Sequence, residues 1–205
     1  MSPRANVSAA RKAQILDAAA AVFARKGFYQ ASMDDIVVEA GLSKGALYWY
    51  FKSKDQIITA ILDRLFAPEL AGLQALVTAD GSARERLLQF AAMSAREMKH
   101  MLRVAPLTYE FYALAFRDKN VRKALRRYLR AYHAHLTPLV EQGIARGEFR
   151  ADDAAQVAMT LVAIGEGTLL VWIFDPKSFD LERQIVAGMT HVLDGVSVAA
   201  KKQKR

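Results

Sequence analysis

The chain has 205 residues, 53% of them hydrophobic and 24% charged, an ordinary globular composition with enough apolar material for a core. It has no cysteine, so neither a disulfide framework nor a thiolate metal site is available. The net charge of +8 is uneven: eight Lys and Arg face five Asp and Glu in residues 1–60, seventeen face sixteen in residues 61–200, and KKQKR closes the chain, an asymmetry that points to a polyanionic partner at the N-terminal end.

The opening MSPRANVSAARKAQ lacks the apolar stretch of a secretory leader, and residues 1–9 read as a flexible arm of a cytoplasmic protein. A first helix follows, with Ile15, Ala19, Val22 and Phe23 on one face, ending near Gly27. Ser32 is placed to cap a short second helix over residues 33–39. Asp35, three residues on, is a shorter version of the Glu or Gln that completes a capping box. AGL, with Gly41 free to take positive φ, makes a tight turn, and Ser43 caps a third helix. Three short helices with a glycine-containing turn before the third form a helix-turn-helix unit over residues 10–55.

The third helix, in SKGALYWYFKSKD, sets Tyr48, Trp49, Tyr50 and Phe51 side by side. At 3.6 residues per turn those rings spread around nearly the whole helix, so at least one must face outward. A recognition helix in the DNA major groove accounts for the pattern. Gly45 and Ala46 remove bulk where the backbone approaches base edges, and Lys44 offers a donor for guanine or phosphate. Tyr48 lies one turn after Lys44 with a hydroxyl suited to phosphate, and Tyr50 and Lys54 are spaced to hold the other strand. Leu47 and Phe51 make the buried stripe, against Phe23, Ile36 and Leu42. Trp49 fits either the outer face or packing against the first helix.

Residues 15–58, ILDAAAAVFARKGFYQASMDDIVVEAGLSKGALYWYFKSKDQII, closely resemble the DNA-binding module of the TetR family of bacterial transcriptional repressors. The resemblance rests on FARKGF, on Ser32 where Thr is usual, and on DDIVVEAGLSKGALYWYFKSKD. It implies DNA contacts from Ser32, Ser43, Lys44, Gly45, Tyr48, Trp49, Tyr50 and Lys54, with Tyr50 standing where His is common.

Beyond residue 53 the helices lengthen. Helical segments are predicted at 55–76, 83–102, 106–116, 120–145, 153–174 and 181–197, with a bend at Pro138. No strand-like alternation appears, so the chain reads as all-α, with a larger helical domain over residues 56–197 and a basic flexible tail at 198–205. The apolar run Ala154–Phe174 carries Gln156 and is split by Glu166, which favours a buried helix over a membrane span.

No catalytic or metal constellation is present in the sequence. His133 and His135 are two apart and fall on different helix faces, and neither a phosphate loop nor a nucleophile elbow occurs. The expectation is a protein that is not an enzyme and uses no cofactor. The larger domain offers soft and aromatic side chains for an apolar ligand: Phe90, Met93, Met101, Tyr109, Tyr112, Phe116, Tyr132 and Trp172. Glu110 and Glu166 lie in apolar surroundings with no Lys or Arg within six residues; buried, they favour a cationic ligand, and exposed, a neutral or acidic one. The stripe Arg122, Arg126 and Arg130 reads as a solvated face.

One recognition helix contacts few base pairs, so a homodimer on two half-sites is expected. Ile185, Met189, Val192 and Val196 line one face of the last helix as a candidate dimer interface. The resemblance implies a four-helix bundle from the last two helices of each subunit. These features together describe a ligand-responsive dimeric repressor, released from a palindromic operator by a small apolar inducer that is aromatic or cationic. The rival reading is a helical small-molecule-binding carrier or enzyme-like protein whose N-terminal unit only packs.

Overall fold

The computed structural model describes the backbone of residues 3–104, 108–150 and 152–198, and the side chains of residues 7–99, 112–150 and 152–198. Among these residues the chain forms helices α1 (Pro3–Lys26), α2 (Met33–Ala40), α3 (Lys44–Tyr50), α4 (Lys54–Thr78), α5 (Ala83–Val104), α6 (Thr108–Arg117), α7 (Lys119–Ala145), α8 (Ala154–Phe174) and α9 (Leu181–Val196). The one extended pairing among them is an isolated antiparallel bridge between Phe149 and Ser197. The all-α reading holds, and the six long segments are found with ends shifted by two residues or fewer.

Two expectations change. Residues 3–9 belong to α1 and are not a loose arm, and Pro3 suits the first helical turn. Compactness also divides the chain differently: one unit takes Met1–Phe66 and Met101–Arg126, the other Ala67–His100 and Arg127–Arg205. The break at 55/56 is replaced by one inside α4, whose buried stripe continues through both halves of the helix. Ile57, Ile58, Ile61 and Leu62 are buried in its first half and Leu73 and Leu76 in its second. Residues 199–205, most of the expected tail, lie outside the described residues.

In the first unit Ile15, Ala19, Val22 and Phe23 of α1, Ile36 of α2 and Leu47 of α3 are all fully buried. Phe28 meets Phe23 edge to face at a centroid separation of 5.3 Å. Truncating a residue such as Leu47 to Ala there costs about 2–5 kcal/mol.

The second unit buries Leu87 and Phe90 of α5, Leu136, Leu139 and Val140 of α7, Leu161 and Leu169 of α8, and Leu181, Ile185, Met189 and Leu193 of α9. Its one buried arginine among the described residues, Arg86, is only 2% exposed. The guanidinium donates to the carbonyls of Leu76 and Val77, both at 3.1 Å, and to Gln142 Oε1 at 2.9 Å, so it caps the end of α4. The Glu148 carboxylate accepts from the N–H groups of Ala83 and Arg84 at the start of α5. Pro138, where the sequence predicts a bend, and Pro68 both lie inside continuous helices.

Candidate DNA-binding surface and ligand cavity

Two caps fix the helix-turn-helix. Ser32 Oγ accepts from the Asp35 N–H at 3.1 Å and Asp35 Oδ2 accepts from the Ser32 N–H at 2.9 Å, so the short Asp completes the capping box. Lys26 donates to the same carboxylate at 2.6 Å, and this bond, with those from Ser32, holds the Asp35 carboxyl down at about 2. Gly41 ends α2 in the left-handed region at φ 62°, which a side chain would strain. Ser43 then caps α3, its Oγ accepting from the Ala46 N–H at 3.2 Å.

Around α3, Leu47 is 0% exposed and Phe51 7%, the inward stripe that the spacing predicts. Ser43, Lys44 and Gly45 are exposed, and Ala46, Tyr48 and Tyr50 are half-buried. Trp49 is 77% exposed, which settles its direction: it faces out and does not pack on α1. A Cβ built on Gly45 would meet nothing within 4 Å, so this position presents bare backbone to the outside. Lys44 Nζ pairs with Asp34 Oδ1 at 2.8 Å across the turn, with both side chains mostly exposed.

Lys54, expected at a phosphate, is held within the fold in the chain without DNA. Its Nζ donates to the carbonyls of Phe28 at 2.7 Å and Ala31 at 2.6 Å, with Tyr29 at 3.3 Å, and sits 4.8 Å from the Phe28 ring centroid. Three carbonyls take up the three donors of the ammonium. Lys54 therefore ties the α1–α2 loop to the start of α4, and burial lowers its pKa.

In the second unit a cavity of about 20 Å³ is lined by Phe90, Ser94, Met98, Tyr132, Leu161, Val162, Gly165, Glu166, Ile185 and Met189. It brings together three of the expected ligand residues, Phe90, Tyr132 and Glu166, the last half-buried. The others part company. Met93 packs its thioether against Gly72, where a Cβ would lie 2.7 Å from the sulfur. Trp172 is half-buried on α8 away from the cavity lining, and Tyr112 is half-buried in the first unit. Phe116 is 83% exposed and lines a surface cleft of the first unit, of about 520 Å³, with Phe28, Tyr29 and Leu114. The side chains of Met101, Tyr109 and Glu110 lie outside the described residues.

Beside the cavity stands a carboxylate that the sequence reading missed. Glu69 of α4 is 1% exposed and accepts from the Tyr128 hydroxyl at 3.2 Å. Burial raises its pKa, the hydroxyls of Ser94, Tyr132 and Tyr128 lower it, and the charge of Glu166 raises it again. Ser94 and Tyr132 face the carboxylate without a hydrogen bond of good geometry: Glu69 Oε1, Ser94 Oγ and Tyr132 OH all remain unsatisfied. The rings of Tyr128 and Tyr132 meet edge to face at 4.4 Å. A signal existed, because Leu62, Phe66, Glu69, Leu73 and Leu76 repeat at alternating spacings of four and three along one buried stripe.

The candidate dimer face is also redrawn. Ile185 is 0% and Met189 2% exposed, both turned into their own unit's core, and Val192 and Val196 are half-buried. The reason is close packing of α9 on α8: a Cβ on Gly188 would lie 2.8 Å from Ile164 Cγ2. The open apolar face belongs to α8, where Met159, Leu170, Val171 and Phe174 are at least half exposed, with Ala163 and Gly167 exposed on the same stripe. This helix is long and apolar enough to cross a membrane by length and composition, yet its other side carries core residues such as Leu161 and Leu169.

The comparisons agree with this layout. Residues 15–61 match the bacterial regulatory proteins of the tetR family, and residues 83–196 match the C-terminal domain of BetI-type transcriptional repressors. A helix-turn-helix-type transcriptional regulator of Bacillus subtilis (strain 168), YfiR, itself uncharacterised, is 30% identical over 87% of this chain and 86% of its own. TtgR, a transcriptional regulator of Pseudomonas putida, is 26% identical over 83% of each chain. The fold is similar to that of SmeT, repressor of the Stenotrophomonas maltophilia multidrug efflux pump SmeDEF. In its complex with triclosan, SmeT superposes with a TM-score of 0.80 at 22% identity, covering 93% of each chain. The chain belongs to the TetR family of bacterial transcriptional regulators, which are DNA-binding regulators and not enzymes.

Proposed function

We propose that this regulator is a homodimeric cytoplasmic repressor that grips a palindromic operator with α3 of each subunit and is released by a small apolar inducer bound in the second unit. The outward set on α3 carries the reading. Ser43, Lys44, Gly45 and Trp49 are exposed while Leu47 and Phe51 anchor the helix from behind. Such a helix presents donors and bare backbone to base edges and phosphates. Two copies are needed to span half-sites about 34–36 Å apart. The exposed apolar stripe of α8 is the surface that a second copy covers. The triclosan complex of SmeT supports binding of an apolar small molecule by this fold. An inducer that prefers the subunit arrangement with the wrong spacing between recognition helices shifts the population off DNA.

Binding of the purified protein to duplexes drawn from the DNA flanking its own coding region, titrated with salt, tests the reading. One duplex bound far more tightly than random DNA, with a steep salt dependence, is the expected result. Equal, weak binding to every duplex would remove the repressor function.

A further inference from the structure

We propose that Glu69, Ser94 and Tyr132 form a subsite for a primary ammonium group, and hence that the inducer is an apolar amine. The inference rests on the ligand-released reading above and names the polar end of its cavity. Three polar atoms in one place, Glu69 Oε1, Ser94 Oγ and Tyr132 OH, are buried, the hydroxyls close enough to the carboxylate to lower its pKa yet without a hydrogen bond of good geometry. Their residues are 1%, 3% and 5% exposed, so bulk water does not satisfy them. Unsatisfied buried polar atoms are uncommon, and three converging ones mark a place where something binds.

The chemistry of the occupant follows from the set. Glu69 interacts with three hydroxyls and a second carboxylate, Glu166, so the local field favours a cation. A primary ammonium brings three N–H donors and no acceptor, and the three open atoms can each accept one. A quaternary ammonium has no N–H and would leave them as they are. Around this corner the surroundings are apolar and aromatic. Phe90 lies 5.6 Å from the Tyr132 ring, and Ser94, Tyr132 and Glu166 also line the cavity of about 20 Å³. That space takes an ammonium head; the apolar body needs Met98 and Met189, which also line it, to change rotamer, as unbranched side chains do readily. A single water in the same position is the competing occupant, since a cavity of this size holds one.

The test uses the full-length protein with four probes on one hydrocarbon chain: n-hexylammonium, n-hexyltrimethylammonium, hexanol and hexanoate. Thermal shift and titration calorimetry are run on wild type, Glu69→Gln and Ser94→Ala, with circular dichroism to confirm that each variant folds. Hexylammonium alone stabilises the wild type, and its affinity falls by about tenfold or more in Glu69→Gln and by a smaller factor in Ser94→Ala. Equal binding of the trimethylammonium probe, or undiminished binding of hexylammonium to Glu69→Gln, overturns the subsite. So does an absence of any response, which would leave a water-filled polar pocket. Retention of the wild type on duplex DNA is measured on the same preparation without probe. Failure of the wild type to bind DNA would sink the repressor reading without touching the calorimetric result.

Discussion

Tyr128 donates its hydroxyl to Glu69 Oε2 at 3.2 Å inside the second unit, joining α7 to α4 through two buried groups. Burial pushes Tyr128 and Tyr132 well above the ordinary phenol value, so both remain protonated donors across the physiological range. Glu69 is raised from 4.5 chiefly by burial, with Glu166 adding to the effect. The folded chain therefore keeps a proton that the unfolded chain releases. The associated stability is complete below 4.5 and is lost as pH rises through the raised value. Urea unfolding from mildly acidic to mildly alkaline pH should show this decline, and Glu69→Gln should flatten it and be neutral or stabilising at the alkaline end. A slope identical in wild type and Glu69→Gln would mean that Glu69 titrates normally.

Lys44 and Asp34 form an exposed pair at 2.8 Å in the absence of DNA. Lys44→Ala should weaken DNA binding. If Lys44 meets phosphate, the salt slope drops by about one; if it meets guanine, the loss is about 1–3 kcal/mol at one base position. Asp34→Asn frees the lysine and removes a like charge from the DNA-facing side, so affinity should rise, most at low salt. Electrophoretic mobility shifts across a salt series read both effects, and unchanged affinity in both variants would take Lys44 off the interface.

Lys54 is the contrasting lysine. Lys54→Met strips a donor from the carbonyls of Phe28 and Ala31, and should destabilise the fold by about 1–3 kcal/mol. Operator affinity should fall only as far as the loop loosens, with the salt slope unaltered. A slope reduced by one unit with normal stability would restore Lys54 as a phosphate contact.

Two charge substitutions separate core from interface. Leu170→Asp, on the 55% exposed side of α8, should leave helix content intact and give monomers by light scattering, with operator affinity lost. Met189→Asp buries a charge inside the subunit and should instead lower thermal stability severely, because Met189 is 2% exposed. A folded Leu170→Asp dimer would move the interface off this face.

Removing the α2 cap with Ser32→Ala should cost about 0.5–2 kcal/mol. Asp35 is tied to the same serine and to Lys26, and its lowered carboxyl holds this stabilisation above its ordinary value of 3.8 and loses it as pH falls through about 2. Acid unfolding of Asp35→Asn should lack that component of the transition.

Sequence alone determined what depends on neighbours in the chain. Helix ends at Gly41, the caps at Ser32 and Ser43, the inward stripe of Leu47 with Phe51 and the 3.6-residue rhythm of the long helices are local events, and they were legible. The open position of Gly45 and the need for an outward aromatic were legible too, although only the fold chose Trp49. Tertiary structure decided which apolar face meets which. Both α8 and α9 carry such faces; the close approach at Gly188 turned Ile185 and Met189 into the subunit and left Met159, Leu170 and Phe174 open. The partners of Lys54 lie 23 to 26 residues away along the chain, beyond the reach of any helical spacing. Glu69 could be placed on a buried stripe by counting, but its burial depends on α5 and α7 bringing Ser94, Tyr128 and Tyr132 to it. A carboxylate's environment is set by what folds over it, and that information is distributed over residues 69–166 instead of residing in any one segment.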